Sequence, residues 1–167
     1  MKDELTEVDI RKMQEEIDYR KNVLTQKLKE DLSVARSMGD LSENYEYHVA
    51  KRELGRNASR IRYLENMIRT AIVISAESDD DKVGLFDTVT IYIEEDDEEM
   101  TFKLVTTLRQ DSLKNLISKE SPIGKAIIGH KAGDRVCVQV NPSYSYYAVI
   151  RSFEKGEDDD TLEISKY

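Results

Sequence analysis

The first 70 residues carry apolar side chains at the spacing of long amphipathic helices. Between residues 6 and 38 there is neither proline nor glycine, and Ile10, Ile17 and Leu24 follow one another at intervals of seven residues. Such intervals place the three side chains along one stripe of a helix. Further apolar residues fall near the same side: Met13, Leu28, Leu32 and Ala35.

A second stripe with the same period follows Gly39. Its two series are Tyr47, Leu54, Ile61 and Ile68, and Ala50, Asn57, Leu64 and Ala71, with Asn57 as a polar interruption. Two heptad segments joined by a short connection predict an antiparallel hairpin, whose arms of about 30 residues would extend on the order of 45 Å. The alternative is one uninterrupted helix that dimerises, since a glycine inside a helix costs only about 1 kcal/mol.

The second half of the chain alternates apolar and polar residues with the period of β-strands. Four segments do so: 88–93, 101–105, 135–140 and 144–153. The first two flank an acidic turn and predict a β-hairpin. Ser121 and Pro122 suit the N-cap and first position of a short helix over residues 123–128. Strands with one short helix predict a half-open sheet, so the whole chain is expected to be α+β.

Charge separates the two halves. Residues 1–76 carry 14 basic and 14 acidic residues, whereas residues 77–167 carry 11 and 20, so the net charge of −9 belongs to the second half. The polar stretch at residues 75–82 marks the boundary. We therefore predict a hairpin domain at 1–76, with an acidic tip at 39–46, and a second domain at 77–167. The acidic run at 157–160 is expected to be solvated.

Composition excludes several classes of protein. No apolar run approaches the roughly 18 residues of a membrane span, and the charged start is unlike a secretory signal. We expect a cytoplasmic protein with no membrane partner. Cys137 is the only cysteine, and its alternating apolar neighbours predict a buried strand thiol. No Cys/His cluster has zinc spacing and no glycine pattern matches a phosphate loop, so nothing predicts catalysis by the chain alone.

Two acids in the connection between the predicted helices allow two interpretations. Asp40 suits an N-cap, and Glu43 three residues later completes a capping box for the second helix. Alternatively, residues three apart on a helix lie about 5 to 6 Å apart at Cβ, close enough for two carboxylates to share a hard cation such as magnesium.

Basic residues cluster at the start of the second predicted helix. Lys51, Arg52, Arg56 and Arg60 lie there, and the three arginines recur every four residues along one side. A solvated surface with ion pairs to Glu15, Glu16 or Glu30 of the other arm is one interpretation. A nucleic-acid contact is the other, because attraction to phosphates requires clustered Lys and Arg and no particular fold.

Two separate motifs resemble one family. Residues 39–48, Gly-Asp-Leu-Ser-Glu-Asn-Tyr-Glu-Tyr-His, followed by Ala-Lys-Arg-Glu at 50–53, resemble the coiled-coil tip of the bacterial Gre transcript cleavage factors, most closely GreA. Residues 115–118 and 121–129 are similar to the FKBP-like C-terminal domain of the same family. Tyr45 departs from the pattern, because the family commonly has a small residue there.

The resemblance implies a function. Such factors dock on RNA polymerase through the C-terminal domain, here around Ser121, Pro122 and Ile123, and pass the hairpin down the secondary channel to the active site. Asp40 and Glu43 would then help to hold a magnesium ion while the polymerase cleaves the 3′ end of backtracked RNA, and the basic residues 51–60 would contact that RNA. The chain would be a monomer and an activator, with no enzymatic activity and no cofactor of its own.

Two further possibilities remain open from the sequence. A Gre-like paralogue could bind the same channel and inhibit the polymerase without cleavage, and Tyr45 leaves room for this. The FKBP-like resemblance also allows a peptidyl-prolyl isomerase, although the chain has no tryptophan and only three phenylalanines to line a proline pocket.

Overall fold

The structure is a computed structural model that describes residues 2–40 and 43–166. Contacts within the chain divide it into two compact units. The hairpin unit is Ile10–Ala71, and the sheet unit combines Asp3–Asp9 with residues from Ile72 onward. No sequence pattern indicated that residues 3–9 would join the sheet unit. None of the described helices is both long and apolar enough to cross a membrane.

The first unit is the predicted antiparallel hairpin. After the short strand β1 (Glu4–Leu5), the first arm runs through α1 (Glu7–Tyr19), a π-helical segment (Arg20–Leu24) and α2 (Thr25–Arg36), and the second arm is α3 (Tyr45–Thr70). Asn44 bonds to Ala35, and further along the arms Arg60 bonds to Glu16. The residue numbers of the bonded partners increase along the second arm, from 44 to 60, while they decrease along the first, from 35 to 16. The two arms are therefore antiparallel. The uninterrupted dimerising helix is therefore wrong.

The π-helical segment shifts the apolar stripe of the first arm by one residue. Before it, Met13 and Ile17 are buried; after it, Leu28 is half-buried and Ala35 is buried. Leu28 lies 15 positions after Met13, one more than two heptads. A π-helical turn accommodates one extra residue. The extra residue therefore turns the apolar stripe of α2 back towards α3, in which the heptad pattern is unbroken.

Asn57 faces this segment and its polar side chain is satisfied there. Asn57 is 3% exposed. Its Oδ1 accepts a hydrogen bond from Arg20 Nη1 at 3.0 Å, and its Nδ2 donates to Thr25 Oγ1 at 2.8 Å. Thr25 Oγ1 donates in turn to the Arg20 carbonyl at 2.6 Å, within the π-helical segment. Asn57, which interrupts the apolar heptads of α3, is thus the hydrogen-bond partner of the π-helical segment opposite it.

The second unit contains a five-stranded mixed sheet. Its elements are β2 (Ile72–Val73), β3 (Thr88–Ile93), β4 (Glu98–Val105), β5 (Leu116–Ser118), α4 (Pro122–Ile127), β6 (Arg135–Asn141) and β7 (Tyr144–Glu154). The strand order is β5-β4-β3-β7-β6, with β5 parallel to β4 and the other neighbours antiparallel. β2 pairs separately with β1. This confirms the predicted α+β class and the predicted hairpin of β3 and β4, whereas β1, β2 and β5 were missed because they are too short to show a period.

The core of the sheet unit lies on one face of the sheet, where α4 packs. It contains Val89, Ile91, Phe102, Leu104, Ile127, Val136, Val138 and Ile150. Val136 and Val138 point into this core, so the residues that alternate with them point outward. Cys137 is consequently exposed. The predicted burial of its thiol is wrong, because the apolar run around it did not reveal which alternate positions face the core.

A buried arginine ties both ends of the chain into the sheet unit. The side chain of Arg109 is fully buried, and its Nε donates to Asp9 Oδ1 at 2.6 Å. Its Nη2 donates to Thr6 Oγ1 at 3.1 Å and also to the Asp158 carboxylate. Its Nη1 donates to the carbonyl of Asp159 at 3.2 Å. We call this group of five residues the Arg109 clasp.

The C-terminal segment is docked well beyond the last strand. Leu162 packs against a buried apolar cluster, and the Ser165 amide donates to the Leu108 carbonyl at 2.6 Å. The expectation that the acidic run at 157–160 is simply solvated is therefore wrong for Asp158, whose side chain is only 11% exposed.

We expect Asp158→Asn to destabilise the sheet unit by about 1 to 3 kcal/mol, because a buried guanidinium loses a charged hydrogen-bond partner. Glu157→Gln is the matched control: Glu157 is exposed, so its change should stay within about 0.5 kcal/mol. Scanning calorimetry of the full chain measures both. Equal unfolding temperatures for the two variants would show that Asp158 does not contribute.

Candidate functional site

The connection between α2 and α3 carries both predicted acids at its surface. Gly39 has φ +125°, a conformation that residues with a Cβ rarely adopt, so glycine allows the chain to turn there. Asp40 and Glu43 are exposed. Leu41 and Ser42, the remaining residues between them, lie outside the described residues. The hairpin tip therefore presents two carboxylates three positions apart.

Asn44 holds both helix ends at the tip. Its Oδ1 accepts a hydrogen bond from the Tyr47 amide at 3.0 Å, which makes it the N-cap of α3. Its Nδ2 donates to the Ala35 carbonyl at 2.6 Å, in the last turn of α2. The predicted capping box of Asp40 and Glu43 is therefore wrong, because the helix begins only after Asn44. Asparagine is a favoured N-cap residue, so the signal was present in the sequence.

Three of the four predicted RNA-contact residues lie on the exposed surface of α3. Lys51, Arg52 and Arg56 are exposed, and we call them the basic patch. Arg52 and Arg56 are one helical turn apart and lie on the same face. Arg56 forms an exposed ion pair with Glu53 at 2.8 Å, which is weak in water and leaves its side chain 69% exposed.

Arg60 does not belong to this patch. Its side chain is only 6% exposed and its guanidinium makes a two-pronged contact with Glu16, with Nε to Oε1 at 2.9 Å and Nη2 to Oε2 at 3.2 Å. Arg20 Nε also donates to Glu16 Oε1, at 2.8 Å. Arg60 therefore joins the two arms of the hairpin, and its predicted contact with RNA is not supported by this position.

The charge of Glu16 is stabilised by these two arginines. Burial alone would raise the pKa of Glu16, but the hydrogen bonds and positive charges of Arg60 and Arg20 outweigh it and lower the pKa below its ordinary value of 4.5. Glu16 therefore stays ionised at neutral pH and compensates charge inside the hairpin.

The predicted docking residues lie at the start of α4. Ser121 is the N-cap: its Oγ accepts from the Gly124 amide at 3.1 Å and donates to the Ser118 carbonyl at 2.6 Å. Pro122 is exposed at the first helical position, whereas Ile123 is half-buried against the sheet core. A Cβ on Gly124 would lie 2.3 Å from the Ser118 carbonyl oxygen, so this close approach requires glycine. The turn is held by these hydrogen bonds and this close approach, and Pro122 is its accessible apolar residue.

Comparison with known families accounts for nearly the whole chain. Residues 4–73 match the family "Transcription elongation factor, N-terminal", and residues 72–152 match "Transcription elongation factor, GreA/GreB, C-term". The chain belongs to the GreA/GreB family. This confirms the resemblance found in residues 39–53 and 115–129 and makes the chain a transcription elongation factor.

Two relatives of this GreA/GreB protein show how far the likeness extends. Transcription elongation factor GreA of Thermoanaerobacter pseudethanolicus is 42% identical over 137 residues, which are 81% of this chain and 87% of the relative. GreA of Geobacillus kaustophilus is 41% identical over 129 residues, covering 77% of this chain and 82% of the relative. The C-terminal segment after residue 152, with its part of the Arg109 clasp, lies outside the matched family regions.

A solved structure aligns over a similar length of the GreA/GreB protein. GreA factor homolog 1 (Gfh1) of Thermus thermophilus is 21% identical and covers 93% of this chain and 100% of its own, with a TM-score of 0.42. That TM-score is too low for the likeness to bear on function.

We expect Glu16→Gln to destabilise the hairpin unit by about 2 kcal/mol at pH 7, because Arg60 would remain buried without its carboxylate. The lowered pKa means that the ion pair contributes fully above about pH 4.5 and is lost as the pH falls through that lowered value. The difference from the unaltered chain should therefore shrink below about pH 4.5. Thermal unfolding followed by helical circular dichroism from pH 7 to pH 3 measures this.

The matched control is Glu15→Gln. Glu15 is 70% exposed and its ion pair with Arg11, at 3.8 Å, should contribute less than about 0.5 kcal/mol at any pH. If Glu16→Gln and Glu15→Gln gave the same pH profile, the assignment of Glu16 as a stabilising charge would fail.

Proposed function

We propose that this GreA/GreB protein binds RNA polymerase, inserts its hairpin into the secondary channel and stimulates cleavage of the 3′ end of backtracked RNA. The observation that carries the proposal is the exposure of Asp40 and Glu43 at the tip of the hairpin. Asn44 supplies the N-cap of α3, so the fold does not require either acid for that purpose. Exposed acids without a role in the helix cap suit a function in another molecule's active site.

The chemistry of the two acids suits magnesium. Mg²⁺ prefers oxygen ligands in octahedral geometry, and two carboxylates fill only part of that arrangement. Among residues 2–40 and 43–166, no group of three His, Cys, Asp or Glu side chains is placed to hold a metal ion. We therefore assign the other ligands to the polymerase and its RNA. Magnesium held in this way would lower the pKa of a bound water and so generate a nucleophile at neutral pH.

The catalytic machinery in this proposal is divided between two proteins. Asp40 and Glu43 would complete a metal site, while the polymerase would supply the rest of the active site and position the RNA. The chain alone would then be an activator and no enzyme, and it would carry no cofactor outside the complex.

The basic patch is assigned to the displaced RNA. Lys51, Arg52 and Arg56 follow the tip acids on α3 and are exposed, so they can meet phosphates behind the cleavage point. Because residues 1–76 carry no net charge, the approach of this half to RNA meets little overall repulsion.

Docking is assigned to the turn that opens α4. Ser121, Pro122 and Ile123 form a hydrogen-bonded turn with one exposed apolar residue, Pro122, which a complementary surface of the polymerase can contact. One monomer would occupy one channel. We place the protein in the cytoplasm with the polymerase.

The test is RNA cleavage in backtracked complexes assembled from purified RNA polymerase. We expect the unaltered chain to shorten the RNA, and Asp40→Ala with Glu43→Ala to reduce the rate at least about 100-fold, because the metal loses its ligands from this chain. Glu30→Gln, which removes an exposed acid from α2, should cleave normally.

The same assay decides between activation and inhibition. Tyr45 is 78% exposed next to the tip acids, so its bulk is the feature that favours an inhibitory paralogue. If the unaltered chain bound the polymerase without shortening the RNA, the chain would be an inhibitory paralogue and our proposal would be wrong. Full cleavage by the doubly substituted chain would contradict the role of the two acids.

A further inference from the structure

An open groove lies between the two arms of the hairpin, close to the tip. Ala35 and Ala50 are its buried residues, and Val34, Val49 and Tyr45 line it further out. Its volume is ≈ 390 Å³. That is at the small end of the range of about 300 to 1,000 Å³ that binding pockets cover. We call it the tip groove.

Two small core residues leave the tip groove open. Ala35 and Ala50 have no atoms beyond Cβ, so neither fills the space between the arms. Val34 and Tyr45 beside them are 55% and 78% exposed. One exposed apolar residue is ordinary on a protein surface, but neighbouring ones around a concave site are typical of an interaction surface.

The rim of the tip groove is acidic. Asp31 contributes from α2, and Glu46 and Glu53 contribute from α3. Glu53 is paired with Arg56 at 2.8 Å, whereas neither Asp31 nor Glu46 forms an ion pair with any residue that the structure describes. Among the residues that the structure describes, no lysine or arginine lines the groove. An occupant must therefore match an apolar interior with negative charge on both sides.

We propose that the tip groove receives an apolar side chain of RNA polymerase that is flanked by lysine or arginine. The inference rests on the proposed function, which brings this part of the hairpin into the polymerase channel. RNA is a poor match, because its phosphates would face Asp31 and Glu46 across the rim. A cationic polypeptide segment gains from the same two carboxylates, which would steer it to the groove and fix its orientation.

The first experiment places a positive charge in the tip groove. Val34→Lys introduces an ammonium group one turn from Asp31, so it both neutralises the rim and repels a cationic partner. Val23→Lys is the matched control, since Val23 is 54% exposed on the same arm and does not line the groove. A fluorescent label on Cys137, the chain's single and exposed cysteine, reports binding to RNA-free core polymerase by anisotropy.

We expect Val34→Lys to weaken binding to the RNA-free polymerase about tenfold, and Val23→Lys to change it less than about twofold. Asp31→Lys should weaken binding in the same direction without touching the apolar lining. At saturating concentrations, Val23→Lys should stimulate cleavage at the normal rate, because it alters neither the groove nor Asp40 and Glu43. Helical circular dichroism confirms that each variant is folded.

The outcomes separate this inference from the proposed function. If Val34→Lys and Val23→Lys bind equally well and the unaltered chain cleaves normally, the tip groove does not bind the polymerase, but the proposed function still holds. Failure of the unaltered chain to bind polymerase overturns both. Tighter binding by Val34→Lys only when backtracked RNA is present would identify RNA as the occupant and contradict the proposal.

Discussion

The sheet unit is organised around one buried positive charge, the guanidinium of Arg109, which requires hydrogen-bond and charge partners. Arginine stays protonated under all ordinary conditions, so the buried side chain of Arg109 must be compensated wherever it lies. Its partners come from residues 6–9 at one end of the chain and residues 158–159 at the other. The ring of Phe86 also lies 4.7 Å from its guanidinium carbon. Satisfying one charge therefore helps to fix the position of both segments, together with the pairing of β1 with β2 and the packing of Leu162.

The hairpin unit uses the same constraint at its centre. Glu16, Arg20, Asn57 and Arg60 form a polar layer in which each buried charge or amide has a partner on the other arm. A buried polar layer of this kind adds less stability than packed apolar residues, but it penalises any arrangement in which its members do not meet. The layer lies beside the π-helical segment, where the first arm shifts its stripe by one residue. It therefore favours a single alignment of the arms, and with it a single position for the tip.

Much of this architecture could be predicted from the sequence because helices and strands repeat their apolar residues at regular intervals. The heptads of the second arm, the strand alternation and the Ser121 cap were all visible as local patterns. Two kinds of feature could not be predicted: which of two alternating sets of strand residues faces the core, and which residues far apart in the sequence are paired. Cys137 shows the first, because alternation does not say which set of residues faces inward. Asp158 shows the second, because its charge suggested solvent until Arg109 was found beside it. For Arg60, an ion pair with an acid such as Glu16 was one interpretation, but the sequence did not distinguish Arg60 from the exposed Arg52 and Arg56.

The candidate site follows the same division. Asp40 and Glu43 stood out in the sequence as a pair, but one of their two explanations was local, as a cap for the helix that follows. Asn44 takes that role and also bonds to the last turn of the first arm. The charges that hold the fold together, such as those of Arg109 and Arg60, are thus buried and paired, while the tip acids remain at the surface. Because neither tip acid supplies the helix cap, the tip carboxylates could change without loss of the N-cap, which makes this turn a place where function can vary while the hairpin persists.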